Sequence, residues 1–134
     1  MKKNIILFIF LLISYIGHSQ EYIDDSNFDE KINEQSAFGD DETNIVVIEF
    51  WAKFNEANAF ADWDKVEGVN YYRVDIAKAP AAKKKYRIRM APTLIIFKDG
   101  INEESFKAGL DLECPVTLDE LLEAIEEVKT AGQF

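Results

Sequence analysis

Apolar and polar residues follow two different periods along this chain, and together they predict a mixed α/β domain. Ile45–Phe50 is an apolar run rich in β-branched residues, with Glu49 as its single acid, which is typical of a buried strand. Three further strands are predicted, and a hairpin turn at Lys98-Asp99-Gly100 joins the last two: Val69–Ile76, Leu94–Phe97 and Glu103–Ala108.

Segments with helical spacing alternate with these strands. Phe28 and Ile32 lie four residues apart, and their helix is expected to begin at Ser26 or Asn27 and to stop near Gly39. A second helix is expected to open at Asn55, a good N-cap, and to end near Val66–Gly68. Its N-terminus would present unpaired backbone N–H groups. Two more helices are predicted, Ala77–Arg89 around Pro80 and an amphipathic helix after the capping box Thr117–Glu120.

This order of elements predicts a layered fold. Glu21–Asp25 is interpreted as a short edge strand. Parallel strands joined by a helix come first and an antiparallel pair follows, so helices are expected on both faces of one sheet.

The first 19 residues predict a cleaved export signal. Lys2 and Lys3 precede the apolar run Ile5–Ile13, and Gly17-His18-Ser19 places small residues at the −3 and −1 positions of a cut after Ser19. The run is shorter than the roughly 20 apolar residues of a membrane-spanning helix, although an uncleaved anchor is the alternative. We therefore expect residues 20–134 to form one periplasmic or secreted domain.

Charge and cysteine content exclude several kinds of site. The chain has a formal net charge of −10, which disfavours binding to nucleic acid or to anionic membranes. Cys114 is the only cysteine, so neither an internal disulfide nor a dithiol cycle is available. The single histidine, His18, lies in the predicted signal. We therefore expect no metal site and no cofactor in the mature domain.

A family resemblance appears in Ile48–Asn58, which reads IEFWAKFNEAN. It resembles the active-site segment of thioredoxins, in which a strand ends in F-W-A-x-W and continues C-G-P-C into a helix. Aligned on Phe50-Trp51-Ala52, the two cysteine positions fall on Asn55 and Asn58. Further markers follow in order: VDI at 74–76, APT at 91–93, FKDG at 97–100 and AG at 108–109. The resemblance covers Phe28–Val128 and implies a thioredoxin-like three-layer sandwich with a mixed central sheet.

The resemblance also implies a peptide-binding groove. Pro92 matches the family's cis-proline, and the backbone of Ala91 matches the residue that pairs with an extended substrate peptide. Trp51 and Phe54 would flank this groove as an apolar patch, with core packing as the alternative. Asn55 and Asn58 would offer donors and acceptors to the peptide. In the alternative, Asn55 only caps its helix and Asn58 is solvated.

Two ionisable groups have roles that the sequence leaves open. Glu49 matches the family's buried acid, which is either a structural remnant here or a proton carrier, and Lys53 or Lys98 could pair with it. Cys114 is interpreted as a buried thiol, with an intermolecular or mixed disulfide as the alternative. The basic run Lys83–Arg89 is interpreted as a solvated helix face, with an acidic partner as the alternative.

These observations lead to one functional hypothesis with two rivals. We expect an exported, redox-inactive thioredoxin-like protein that binds an extended peptide or partner protein in the groove of Trp51, Phe54, Asn55, Asn58, Ala91 and Pro92. The first rival is single-thiol chemistry at Cys114. The second is a structural or assembly domain with no groove ligand, and a homodimer is left open.

Overall fold

The computed structural model describes residues 21–34 and 44–131, which form a five-stranded mixed sheet. The strand order is β1-β3-β2-β4-β5. β1 and β2 each pair in parallel with β3, whereas β4 pairs antiparallel with both β2 and β5. The strands are β1 Tyr22–Ile23, β2 Ile45–Trp51, β3 Asn70–Asp75, β4 Thr93–Lys98 and β5 Ile101–Lys107.

Three α-helices cover the two faces of this sheet: α1 Phe28–Ile32, α2 Pro80–Lys85 and α3 Leu118–Thr130. Side chains of β2 alternate between the faces, because successive residues of a strand point in opposite directions. Val46, Ile48 and Phe50 belong to the core under α1 and α2. Val47 packs in the second core, which includes Leu121 of α3. The predicted three-layer α/β sandwich is confirmed.

The ends of most elements agree with the sequence, and α2 is the clearest exception. The predicted helix Ala77–Arg89 is only Pro80–Lys85 in the structure. Arg87 has a positive φ of 54°, and the N–H of Ile88 donates to the carbonyl of Lys83. This is a Schellman ending, which closes the helix before Arg87.

The predicted helix from Asn55 to Val66 is wrong. Two short 3₁₀ segments, Lys53–Asn58 and Trp63–Lys65, take its place. Asn55 itself has non-helical dihedrals inside the first segment, and its side-chain oxygen accepts from the side chain of Asn58. At Phe60 the backbone N–H donates to Glu49, which holds the chain against the sheet between the two segments. The helix N-terminus expected at Asn55 is therefore absent from the described residues.

Of two other predicted helix caps, one forms a side-chain bond and one does not. Thr117 and Glu120 form the predicted capping box of α3, with both reciprocal bonds present. Asn27 precedes α1 but makes no side-chain capping bond. Within residues 21–34 and 44–131, no helix combines the length and apolarity that crossing a bilayer requires. The first helix ends at Ile32, and not near Gly39 as predicted. The predicted signal at residues 1–19 lies outside the described residues.

Candidate functional site

Three loops meet at one edge of the sheet, because β2, β4 and β5 are in register there. Phe50 pairs with Thr93, which in turn pairs with Lys107. The loop after β2, the loop before β4 and the loop after β5 therefore leave the sheet side by side. They contain five of the six residues that the sequence predicts for the groove, together with loop residues 108–115; the five are Phe54, Asn55, Asn58, Ala91 and Pro92.

Asn55 ties these three loops together. Its Nδ2 donates to the carbonyl of Ala91 at 2.7 Å and to the carbonyl of Leu112 at 2.8 Å. Its Oδ1 accepts from Nδ2 of Asn58 at 2.8 Å. Both amide hydrogens of Asn55 are thus used within the molecule. We call the side chains of Asn55 and Asn58, with these bonds, the amide clamp.

The amide clamp occupies the place where the resemblance puts a substrate peptide. The Ala91–Pro92 bond is cis, as the resemblance implies, and Pro92 is buried. Ala91 is only 2 % exposed, and its carbonyl already accepts from Asn55. A peptide that used this carbonyl would have to displace the Asn55 amide. The register that places Asn55 opposite the cis-proline loop is correct, and the alternative that Asn55 only caps a helix is wrong.

Exposed apolar side chains lie on two of the loops joined by the clamp. Phe54 is 78 % exposed and adjoins Asn55 in sequence. Leu110 is 91 % exposed and precedes Leu112, whose carbonyl is bound by the clamp. Single apolar residues of this exposure are common on surfaces, and each of these two is a candidate for contact with a partner. Leu110 was not predicted, and its only signal in the sequence is a large apolar residue directly after the AG marker at 108–109.

Trp51 lies apart from the amide clamp. Its ring meets Tyr22 edge-on, with 5.8 Å between the ring centroids. It lines a cavity of about 430 Å³ with Tyr22, Lys53 and Lys78, and neither Phe54 nor Asn55 lines this cavity. Its Nε1 is buried without a hydrogen-bond partner among the described residues. The structure therefore does not bring Trp51 and Phe54 into one patch.

Glu49 is fully buried and forms a closed polar cluster beneath the site. Its carboxylate accepts from the hydroxyl of Tyr71 at 2.6 Å, from Nη2 of Arg73 at 3.0 Å and from the N–H of Phe60 at 3.1 Å. Burial first, and then the Glu49 carboxylate, raise the pKa of Tyr71 well above its ordinary value. Every oxygen of Glu49 thus has a partner, as a buried carboxylate requires.

Neither of the two lysines that could pair with Glu49 does so. Lys98 instead donates to the carbonyls of Val128 and Ala131, and no ion pair between Lys53 and Glu49 forms. Arg73 holds Glu49 because the two residues are directly paired across β2 and β3, so their side chains emerge on the same face. No local sequence pattern marks this cross-strand pair, so Arg73 was not predicted as the partner of Glu49.

Cys114 is a partly buried thiol that packs against the core under α3. Its Sγ donates to the carbonyl of Val116 at 3.4 Å. Burial raises the pKa of the thiol, and the negative charge of Glu49 raises it further. Since the thiolate is the nucleophile, this environment disfavours thiol chemistry. Among the described residues, no three acidic, histidine or cysteine side chains are grouped to hold a metal ion.

Comparison with known proteins places this geometry in a family. The sequence profile named Thioredoxin matches residues 19–117. Thioredoxin f2 of Chlamydomonas reinhardtii has a similar structure, with a TM-score of 0.59 and 13% identity over 83% of this chain and 97% of that one. A thioredoxin of Halobacterium salinarum gives a TM-score of 0.59 and 18% identity, over 83% of this chain and 95% of its own.

One similar structure is a larger protein. The zinc-bound form of human ERp44 gives a TM-score of 0.59 and 20% identity over 84% of this chain, but only 30% of that protein is covered. No curated protein matches the chain. At these identities the structural likeness establishes the fold alone.

Proposed function

We propose a binding role without redox chemistry for this chain, which belongs to the thioredoxin family. The protein would be exported and would bind an extended peptide or partner protein at the edge of the sheet where the amide clamp lies. The observation that carries the proposal is the clamp itself. Both thiol positions hold amides, these amides are bonded to Ala91 and Leu112, and exposed Phe54 stands beside them.

The loss of redox chemistry follows from the chemistry of the side chains. A carboxamide has neither a redox couple nor the nucleophilicity of a thiolate. Cys114 is the only thiol, and its raised pKa disfavours attack on a disulfide. Single-thiol chemistry therefore has less support than binding.

The exposed side chain of Phe54, rather than the Ala91 backbone, is the part of the site best suited to a first contact. Phe54 and Leu110 are solvent-exposed, whereas Ala91 and Pro92 are buried and the Ala91 carbonyl is engaged. An apolar side chain of the partner could cover Phe54 without breaking the clamp. Pairing with Ala91 in the family's manner would require the Asn55 amide to swing out.

Peptide binding can be tested with a fluorescein-labelled, unstructured peptide that carries apolar residues at alternate positions. We expect an affinity in the micromolar range by fluorescence anisotropy, and at least a tenfold loss in Phe54→Asp because an exposed aromatic anchor is replaced by a charge. Phe54→Tyr should retain binding and is the matched control. An unchanged affinity in Phe54→Asp would favour the structural or assembly role.

The Asn55→Ala variant separates the two modes of contact. If the peptide pairs with Ala91, freeing the carbonyl should tighten binding. If the peptide contacts only the Phe54 side chain, the affinity should stay the same.

Export is tested by a separate measurement. N-terminal sequencing of protein from the periplasmic fraction should begin at Gln20, the residue after the predicted cut.

A further inference from the structure

The basic residues of this acidic chain are unevenly distributed. No acidic residue occurs between Asp75 and Asp99, and this stretch contains seven of the 15 basic residues. The whole chain has a formal net charge of −10. A positive segment of this length is therefore a local reversal of the protein's overall charge.

Two adjoining cavities gather most of these cations on one surface. The first has a volume of about 580 Å³ and the second about 410 Å³. Arg87 and Arg89 line both, so the two cavities adjoin. We call this surface the basic groove, and it is lined by Pro80, Lys83, Lys84, Arg87, Ile88, Arg89, Met90, Thr93, Lys107 and Ala108.

The cations of the basic groove have no carboxylate partner among the described residues. Across residues 21–34 and 44–131, no carboxylate lies within ion-pair distance of the five charged side chains that line it. The neighbouring Lys85, by contrast, pairs with Asp29 at 3.9 Å and does not line the groove. Five like charges on one surface repel one another, and an anion placed among them would relieve that repulsion.

Arg87 stands at the centre of the groove in a backbone conformation that favours glycine. Its φ is 54°, at the position after the end of α2 where the Schellman ending usually has glycine. A non-glycine residue is strained in this region, because its Cβ approaches the following carbonyl oxygen. The arginine is thus placed where helix closure alone would favour a residue without a side chain.

From this arrangement we propose that the basic groove binds an acidic, extended segment of a partner polypeptide. Exposed arginine and lysine side chains would pair with its carboxylates, and the aliphatic surface of Pro80 and Met90 would contact its apolar atoms. The groove has no aromatic lining on which nucleobases could stack, and the net charge of the chain repels a polyanion as long as nucleic acid. The proposal is independent of the amide clamp, because neither Phe54 nor Asn55 lines the groove.

The test uses a fluorescein-labelled peptide of alternating glutamate and alanine, with the glutamine–alanine peptide as its neutral counterpart. Fluorescence anisotropy should detect binding of the acidic peptide alone. Its Kd should rise about tenfold when NaCl is raised from 50 to 300 mM, because exposed ion pairs are screened by salt. Equal binding of the neutral peptide would overturn the proposal.

Substitutions of basic residues test where the acidic peptide binds. Arg87→Gln/Arg89→Gln should raise the Kd about tenfold, since each exposed ion pair contributes a modest amount. The matched control Lys65→Gln/Lys129→Gln removes the same charge away from the groove and should have little effect. Equal losses in the two double variants would show that only net charge matters and would overturn the proposal.

Two further experiments separate the role of the Arg87 side chain from folding, and the acidic peptide from nucleic acid. Arg87→Gly should fold with undiminished stability, because glycine suits the positive φ, yet bind the acidic peptide several-fold more weakly. A labelled oligothymidylate of twelve nucleotides tests the other class of anion. Tighter binding of the oligonucleotide through Arg87 and Arg89 would replace the acidic polypeptide with nucleic acid and overturn the proposal as stated.

Discussion

The amide clamp and the Glu49 cluster occupy the two places where the thioredoxin resemblance implies redox machinery, and they differ in charge and burial. The clamp is neutral and partly exposed, and it joins three loops through Asn55. The Glu49 cluster is charged and buried, and it joins β2 to β3 through Arg73. In both, the polar groups found at these positions are hydrogen-bonded within the protein.

This difference predicts which polar groups, when removed, lower the free energy of unfolding most. When its cation is removed, a buried carboxylate remains charged in surroundings that solvate charge poorly, which is strongly destabilising. When a half-exposed amide is removed, water can take over part of its hydrogen bonding, so the loss is smaller. The comparison therefore predicts a steep order of effects on stability. The Glu49 cluster should dominate the fold, and the clamp should mainly set the conformation of the loops.

Removing Arg73 is expected to have the largest effect. Arg73→Met should lower the free energy of unfolding by about 3–5 kcal/mol, because Glu49 would remain buried without its cation. Urea denaturation followed by tryptophan fluorescence measures this change. In Glu49→Gln/Arg73→Met much of the loss should be recovered, since glutamine is neutral: its oxygen can accept from the N–H of Phe60, and its amide N–H can donate to the hydroxyl oxygen of Tyr71. If Arg73→Met lowers the free energy of unfolding by less than about 1 kcal/mol, the ion pair of Glu49 and Arg73 behaves as a solvent-exposed one, which contradicts this account.

Breaking the clamp should have a smaller effect. Asn55→Ala removes two donors and leaves the buried Ala91 carbonyl unpaired, so we expect a loss of about 1–2 kcal/mol. Asn55→Asp should lose at least as much, because a carboxylate cannot donate to carbonyl oxygens. Asn58→Ala removes one bond and should lose about 0.5–1 kcal/mol. If all three variants lose equally in the same urea assay, Asn55 does not hold the loops together.

Sequence patterns predicted the strands well because each is a local feature. Ile45–Phe50 is apolar throughout, and the structure buries it as the central strand. The Asn55 helix was mispredicted because a good N-cap residue and a few apolar neighbours do not reveal tertiary bonds. The amide of Asn55 binds carbonyls 36 and 57 positions away, and Phe60 is held by Glu49.

The sequence predicted that Asn55 lies opposite Ala91, but it did not predict the hydrogen bonds made there. Alignment on Phe50-Trp51-Ala52 correctly set Asn55 against Ala91, because strand register fixes which loops meet. The partner of Glu49 depended on a cross-strand pair that no local pattern marks. Leu110 and the separation of Trp51 from Phe54 likewise follow from loop paths rather than from residue types.

The most direct test of the central claim is insulin reduction by the mature protein with dithiothreitol as reductant. The amides at positions 55 and 58 predict that wild type and Cys114→Ser, which contains no thiol, show the same background rate. Turnover by wild type clearly above that of Cys114→Ser would contradict the account, because it would require redox chemistry from the one remaining thiol.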